Sequence, residues 1–491
     1  MPNYSPSWDI VMATAKHEKR DGHFGKWFRH ILIEAGILDY RYPIKGCGVW
    51  LPYGFKIRRL VTQLLRDLHD AKGHDEVQFP IMVTETNLRK EAAHIKDFEN
   101  EVFWITHGGT KPLEIRYALR PTSETAIYPM LKLWIRSHAD LPQRLYQISS
   151  VFRCETKTTR PIIRVREVST FKEAHTAHAS LEDAEAQVKD AMQIYKDFFD
   201  YCGVPYVISR RPDWDKFPGA LYSISFDVVM PDGRTLQSGT VHNLGQNFSE
   251  AFDIQYETLE GTREHVWQTC YGISERAVAS LLSVHGDDNG VVLMPQLAPT
   301  QVIVVPIPQK ENQKLIIETC EKVTKKLRSL GFRVEVDHRE ELTPGAKFFY
   351  WELRGVPIRM EIGPRDVQKE QVILVRRDNF EKEACRIADL PKRLPQLMEQ
   401  MTTEMREKAQ EWANAHVHRV DSSERANELL KKKAGIVELP WCGDTECGHQ
   451  LEGRVNARML GIPLDCKEKI EGKCAVCGKK TSSLVRMAVA Y

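Results

Sequence analysis

Two short segments restrict this chain more than any other part of it: Phe152-Arg-Cys-Glu155 and Arg164-Val-Arg-Glu-Val-Ser-Thr-Phe-Lys-Glu173. They read as antiparallel strands over 145–155 and 163–173, joined by a short polar loop. Side chains two apart on a strand share a face. Arg153 and Glu155 are therefore expected to point the same way, and so are Arg164 and Arg166 on the returning strand. Arginines and a carboxylate facing one cavity can hold a nucleotide phosphate and an adenine amino group. Such clusters also mark ordinary solvated surface, and spacing alone leaves both readings open.

The surrounding pattern places this hairpin in a sheet. Helices are expected over 24–35, where Phe24, Trp27, Phe28, Ile31 and Leu32 form a stripe, and after Tyr53, where Ile57, Leu60, Val61, Leu64, Leu65 and Leu68 do. Residues 76–83 read as a strand with Pro80 inside it. Proline has no ladder donor, so this strand belongs at an edge, against either a second copy of the chain or ordinary core. A strand ends near Arg120-Pro-Thr-Ser-Glu124, where a helix starts. Residues 181–201 are helical, 222–230, 235–243 and 252–258 are strands, and 271–284 form a last helix. Strands in succession with helices against them give an α+β domain on an antiparallel sheet.

Composition changes around Pro295 to Pro299. An apolar strand at 301–306 then opens an alternation of strands and helices to residue 375, the pattern of an α/β domain with a mostly parallel sheet. A charged helix over 394–418 leads to a third, small α+β unit. The domains are accordingly expected at 1–295, 299–400 and 410–491.

A length of 491 residues suits two to four domains, and a net charge of +2 neither suggests nor excludes a nucleic-acid partner. No apolar run approaches the roughly 18 residues of a membrane span. The first residues lack the basic and apolar blocks of a secretory leader, so a cytoplasmic protein is expected. Among eleven cysteines, Cys47, Cys154, Cys202, Cys270, Cys320 and Cys385 are scattered and read as buried thiols. Cys442-x4-Cys447 and Cys474-x2-Cys477 differ: two knuckle-like pairs, 26 residues apart, can bring four thiolates to one ion. That donor set favours a closed structural Zn2+ site, with an iron–sulfur centre as the alternative. Cys466 has no partner at such a spacing.

Several segments together resemble the class II aminoacyl-tRNA synthetases, and within them the prolyl enzymes of archaeal/eukaryotic-like type. Gly73-His-Asp-Glu-Val-Gln-Phe-Pro80 looks like the first class motif. The Phe152–Glu173 segments look like the second, and Gly272-Ile-Ser-Glu-Arg276 with the residues to His285 looks like the third. Arg120-Pro-Thr-Ser-Glu124 and Gly239-Thr-Val-His-Asn243 match prolyl members in particular. Cys154 departs from the usual aromatic, and Met294-Pro-Gln from the usual paired prolines. About 100 residues separate Glu173 from Arg276, too few for the large editing insert of the bacterial type. A catalytically dead paralogue would be expected to lack Arg153 or Arg276, and both are present.

The resemblance implies ATP-dependent ligation of L-proline to tRNA(Pro) through a prolyl-adenylate, with Mg2+ on the phosphates, a homodimer, and no DNA or membrane partner. It implies that Arg153 and Arg276 are catalytic. Arg153, Glu155, Arg164, Val165, Gln237, Thr240, Ser274 and Arg276 would line the ATP site. Thr122, Glu124, Arg153, Phe171, Glu173, His175 and His242 would form the proline pocket, with Thr122 and Glu124 on the secondary ammonium and Phe171 as the apolar wall. His175 and His242 could instead ligate a metal, but no third ligand accompanies them at motif spacing. Lys347, Glu352, Arg359, Glu361 and Arg376 would read anticodon bases, the carboxylates accepting from guanine. The tail ending at Tyr491 is expected to fold back onto the catalytic domain.

Overall fold

The computed structural model describes residues 22–92, 101–309, 311–466 and 471–491. In chain order the elements that position the site are α1 (Phe24–Glu34), α2 (Pro52–Asp70), β1 (Asp75–Glu76), β2 (Met82–Thr84), β3 (Phe103–Gly108), β4 (Lys111–Leu119), α3 (Glu124–Trp134), β5 (Gln143–Phe152), β6 (Glu167–His178), α4 (Leu181–Cys202), β7 (Val207–Arg210), β8 (Tyr222–Val229), β9 (Thr235–Gly245), β10 (Trp267–Ser274) and α5 (Arg276–His285). The second unit contributes β11 (Val302–Pro306), α6 (Gln313–Ser329), β12 (Val334–Val336), α7 (Pro344–Leu353), β13 (Ile358–Ile362), β14 (Gln371–Arg376) and β15 (Lys382–Arg386). The long α8 (Leu390–Ala415) leads to β16 (Val417–Arg419), β17 (Ile436–Pro440), β18 (Arg458–Pro463) and β19 (Leu484–Ala488).

One sheet organises the molecule, in the order β16-β17-β19-β18-β7-β8-β9-β10-β6-β5-β1. Its centre, β7 to β5, is antiparallel throughout, as the succession of strand patterns predicts. The apolar stripes of α1, α2 and α4 cover one face, with Trp27, Ile57, Val61, Tyr195 and Phe198 in a common core with Tyr271 and Phe226 of the strands. Helix α4 is well terminated: Ser180 Oγ accepts from Asp183 N at 3.1 Å, and Gly203 closes it in the left-handed region at φ 63°. The opposite face of the central strands carries the polar residues and is partly covered by α3, whose Ile127, Tyr128 and Leu131 share a second core with Leu145, Ala177 and Cys270.

The structure corrects several local expectations. The hairpin strands end earlier, at Phe152, and resume at Glu167, so residues 153–166 are a loop. The last rung is Arg153 N to Arg166 O at 2.8 Å; beyond it Cys154 N bonds to Glu101 O at 2.8 Å and Arg164 N to Arg160 O at 2.9 Å. Residues 76–83 split at Phe79-Pro80, since Phe79 N turns to the side chain of Gln147 at 3.1 Å. β1 pairs parallel to β5 at the sheet edge, and β2 joins a separate three-stranded sheet with β4 and β3. Tyr271 and Gly272 lie in strand β10, and the last helix begins only at Arg276. Phe252 ends a short helix, leaving a strand over Gln255–Glu257.

The second unit's sheet has the order β12-β11-β13-β14-β15. Only the β11 pairings are parallel; β13/β14 and β14/β15 are antiparallel, so the sheet is mixed. The C-terminal strands join the main sheet, where Ile462 of β18 pairs with Arg210 of β7. A unit expected to stand apart therefore extends the main sheet.

Candidate active site

The loop after β5, the middle of β9 and the start of α5 enclose one cavity. Arg153, Glu155, Arg164 and Val165 come from the loop, Gln237 and Thr240 from β9, and Ser274 and Arg276 from the β10–α5 corner. Gly272 allows its floor to close, because a Cβ there would lie 2.9 Å from Phe171 Cζ. Arg276 is anchored by two carbonyls, Nε to Ile163 O at 2.8 Å and Nη1 to Gln237 O at 3.2 Å. Burial, with Arg153 and Arg164 nearby, lowers its pKa to about 10, which leaves it charged at neutral pH. Three guanidiniums thus converge on a cavity suited to a polyphosphate. The expected pairing of Arg164 with Arg166 fails, because both sit in the loop. Arg166 turns back, donating from Nε to Glu155 O at 3.3 Å.

Glu275 sits under the same corner and was not singled out from sequence. It is buried, its Oε2 accepts from Ser169 N at 3.1 Å and Ser169 Oγ at 2.8 Å, and burial pushes its pKa up to about 7. Its place just before Arg276 is the only sequence clue to it.

A second cavity adjoins the first. Thr122, Glu124, Glu173, His175 and His242 line it with Phe217 and Cys270, and Arg153, Phe171, Gln237, Thr240 and Gly272 line both. Thr122 and Glu124 do not end a strand, since β4 stops at Leu119 and Glu124 opens α3. They still meet, Thr122 Oγ donating to Glu124. Ser123 at the helix N-cap uses its hydroxyl on Glu173 instead of the helix. On β6 the period of two holds, and Phe171, Glu173 and His175 share the cavity face. His242 is fixed by Ser223 Oγ at 2.7 Å, and its ring lies tilted against Phe217 with centroids 4.9 Å apart. Burial, with His175 nearby, brings its pKa down to about 3, so it is neutral at pH 7. Phe217 and Cys270 were missed. Cys270 reaches the cavity because it pairs with His175 across the β6/β10 ladder, a register no local pattern reveals.

The four cysteines expected to cluster do so. One sulfur of each of Cys442, Cys447, Cys474 and Cys477 lies within 4.8 Å of the others, and Cys466 lies elsewhere, beside Arg419. A set of four thiols fits a tetrahedral metal. Tyr491 also folds back. Its hydroxyl donates to Asp232 at 2.9 Å, and Arg234 and Arg160 lie over its ring at 3.9 and 4.9 Å. Arg160 belongs to the loop that carries Arg153 and Glu155.

Of the residues expected to read anticodon bases, Lys347, Arg359, Glu361 and Arg376 are buried. Arg359 donates to Glu361 at 3.0 Å and to Glu352, and Lys347 Nζ donates to Asp337 O at 3.0 Å. Arg376 is 3% exposed and paired with Asp378 and Glu404. These side chains form an internally paired network. Arg377 crosses to the first unit, donating to both oxygens of Asp287 at 2.7 Å. Among the described residues no helix is long and apolar enough to cross a membrane.

Comparison with known proteins agrees with this geometry. Residues 103–285 match the tRNA synthetase class II core domain (G, H, P, S and T). Residues 301–397 match an anticodon binding domain, and 423–491 match the prolyl-tRNA synthetase C-terminal domain. The chain is 50% identical over 476 residues to a proline–tRNA ligase of Ignicoccus hospitalis, covering 96% of this chain and 99% of that one. It is 51% identical over 468 residues to one of Methanopyrus kandleri, covering 95% and 96%. Among solved structures, Giardia lamblia prolyl-tRNA synthetase in complex with prolyl-adenylate superposes with a TM-score of 0.93 at 37% identity, covering 97% of this chain and 99% of that one. The Cryptosporidium parvum enzyme, complexed with halofuginone and AMPPNP, gives 0.92 at 34% identity, covering 98% and 100%.

Proposed function

This chain belongs to the proline–tRNA ligase family, and on that premise we propose how its two cavities divide the work of joining L-proline to tRNA(Pro). The observation that carries the proposal is the position of Arg153, which lines both cavities. With ATP in the first and proline in the second, one guanidinium reaches the α-phosphate and the attacking carboxylate together. The carboxylate oxygen bonds to the α-phosphorus, pyrophosphate leaves, and prolyl-adenylate spans the shared wall. The terminal ribose hydroxyl of the tRNA then attacks the mixed anhydride carbonyl, and AMP leaves.

Such steps depend on alignment and on fixed positive charge more than on a general base. Arg164 and Arg276 take the outer phosphates, Glu155 accepts from the adenine amino group, and Val165, Gln237, Thr240 and Ser274 shape the remainder. Bound Mg2+ would neutralise phosphate charge. In the second cavity Glu124 and Thr122 take the secondary ammonium, Phe171 packs on the ring, and Glu173 and His175 complete the polar wall. His242 closes it without adding a charge, since its burial keeps it neutral.

The second unit takes the anticodon stem-loop, supported by its match to anticodon-binding domains. Lys347, Glu352, Arg359, Glu361 and Arg376 would contribute by rearranging their internal pairs or by holding the fold. Cys442, Cys447, Cys474 and Cys477 would hold one structural Zn2+, supported by their clustering. The chain is proposed to act in the cytoplasm as a homodimer. Proline-dependent pyrophosphate exchange over a panel of amino acids tests the assignment. Exchange driven by threonine or glycine, or none at all, would refute it.

A further inference from the structure

Two side chains assigned above to proline recognition stand in the same cavity beside a cysteine that recognition of a small ring does not use. Glu124, His175 and Cys270 each offer one donor atom, and the three atoms lie within 4.8 Å of one another. All three residues are buried, at 1%, 2% and 6% exposure. Cys270 Sγ donates to Glu124 Oε1 at 3.7 Å. His175 engages the Tyr128 hydroxyl through Nδ1 at 3.2 Å, which leaves Nε2 for the cavity. That nitrogen has no hydrogen-bond partner, although Glu173 Oε2 lies 3.6 Å away. A buried polar atom left in this way is destabilising, so a site that keeps one invites a ligand.

We propose that Glu124, His175 and Cys270 form a binding site for a thiophilic divalent cation, with Zn2+ the best fit, and that this cation and proline exclude one another. The inference rests on the second cavity being the proline pocket. The donors are one oxygen, one imidazole nitrogen and one sulfur, a mixture that suits zinc and disfavours magnesium or calcium. Zinc bonds of about 2.0 to 2.3 Å in tetrahedral geometry put ligand atoms roughly 3.5 Å apart. The Cys270–Glu124 distance of 3.7 Å is already close to that edge. Three protein ligands leave the fourth position to water, the open form of a zinc site. The Tyr128 contact orients the imidazole as an outer hydrogen bond does in known sites. The frame is stiff, because Cys270 and His175 are direct partners on β10 and β6.

Binding needs no oxidant: the Cys270 thiol loses its proton to solvent as the zinc–sulfur bond forms. Exclusion follows from Glu124, whose carboxylate would serve either the cation or the proline ammonium. Excess Zn2+ would then act as a proline-competitive inhibitor, distinct from the ion held by the four C-terminal cysteines.

The test uses the full chain with its C-terminal cysteine site already filled. Equilibrium dialysis against Zn2+ with metal analysis should give about two bound ions, the second released by saturating L-proline. Added Co2+ should develop a thiolate charge-transfer band that proline abolishes. In pyrophosphate exchange, Zn2+ should raise the apparent KM for proline and leave that for ATP unchanged. Cys270→Ser should hold one ion, and His175→Asn gives the same comparison should Cys270→Ser fail to fold by circular dichroism. A single ion in the parent, a second ion unaffected by these substitutions, or one retained at saturating proline would each overturn the proposal. The proline-pocket assignment fails separately, if Glu124→Gln leaves the proline dependence of exchange intact.

Discussion

Replacing Glu275 by Gln should make the catalytic domain more resistant to unfolding at pH 8 and leave it nearly unchanged at pH 5. The carboxyl lies beneath Arg276, and burial raises its pKa from 4.5 to about 7. Between those values the folded chain holds a proton that the unfolded chain has released. Stability must therefore fall as pH rises through this window, and the penalty is complete above pH 7. A shift of about 2.5 units at 1.36 kcal/mol each amounts to about 3 kcal/mol. Glutamine removes the titration and retains the acceptor, because a single oxygen, Oε2, receives both Ser169 donors. Thermal or urea midpoints of parent and variant at pH 5, 6, 7 and 8 give the difference directly, since other groups titrate alike in both. A gap that does not widen with pH, or that widens toward acid, would refute the argument from burial.

Glu124→Gln should lower kcat/KM for proline in pyrophosphate exchange by about 100-fold or more, as loss of a charge-assisted hydrogen bond of about 3 kcal/mol implies, and should leave the KM for ATP within about twofold. Deleting Tyr491 removes a ring held between Arg160 and Arg234 and a hydroxyl on Asp232. The loop bearing Arg153 should loosen, and activation should fall by about tenfold, with circular dichroism and metal content unchanged; parental kinetics from a chain ending at Ala490 would remove the tail from the mechanism. Cys442→Ser should abolish the C-terminal zinc and lower the unfolding midpoint of residues 423–491, measured by metal analysis and limited proteolysis.

What the sequence made legible was local. Periods of two and 3.6 place α1, α2, α4 and the central strands close to where they lie, because each buries one face against a common core. Phe171, Glu173 and His175 fall on one face for the same reason. The errors begin where local pattern stops governing. Arg153, Glu155 and Arg164 do share a cavity, but through a loop and not through one strand face, and Arg166 turns away from it. Long-range register was invisible: Cys270 looked like a scattered buried thiol until the β10 ladder set it opposite His175.

Charge was the least legible quantity. The resemblance implied that Lys347, Glu352, Arg359, Glu361 and Arg376 read anticodon bases, yet each cation has a partner within the chain. Asp378 is only two positions from Arg376, and Glu361 two from Arg359, but Asp337 lies 10 from Lys347 and Glu404 lies 28 from Arg376, beyond a local window. A nucleic acid that engages Glu352 or Glu361 must compete with Arg359, and losing a partner from a buried ion pair costs about 3–5 kcal/mol. Base recognition through these carboxylates therefore requires Arg359 to move onto the RNA as they open, so that the guanidinium exchanges one anion for another. Without that exchange the network is scaffold, and the anticodon is read by groups still exposed around it.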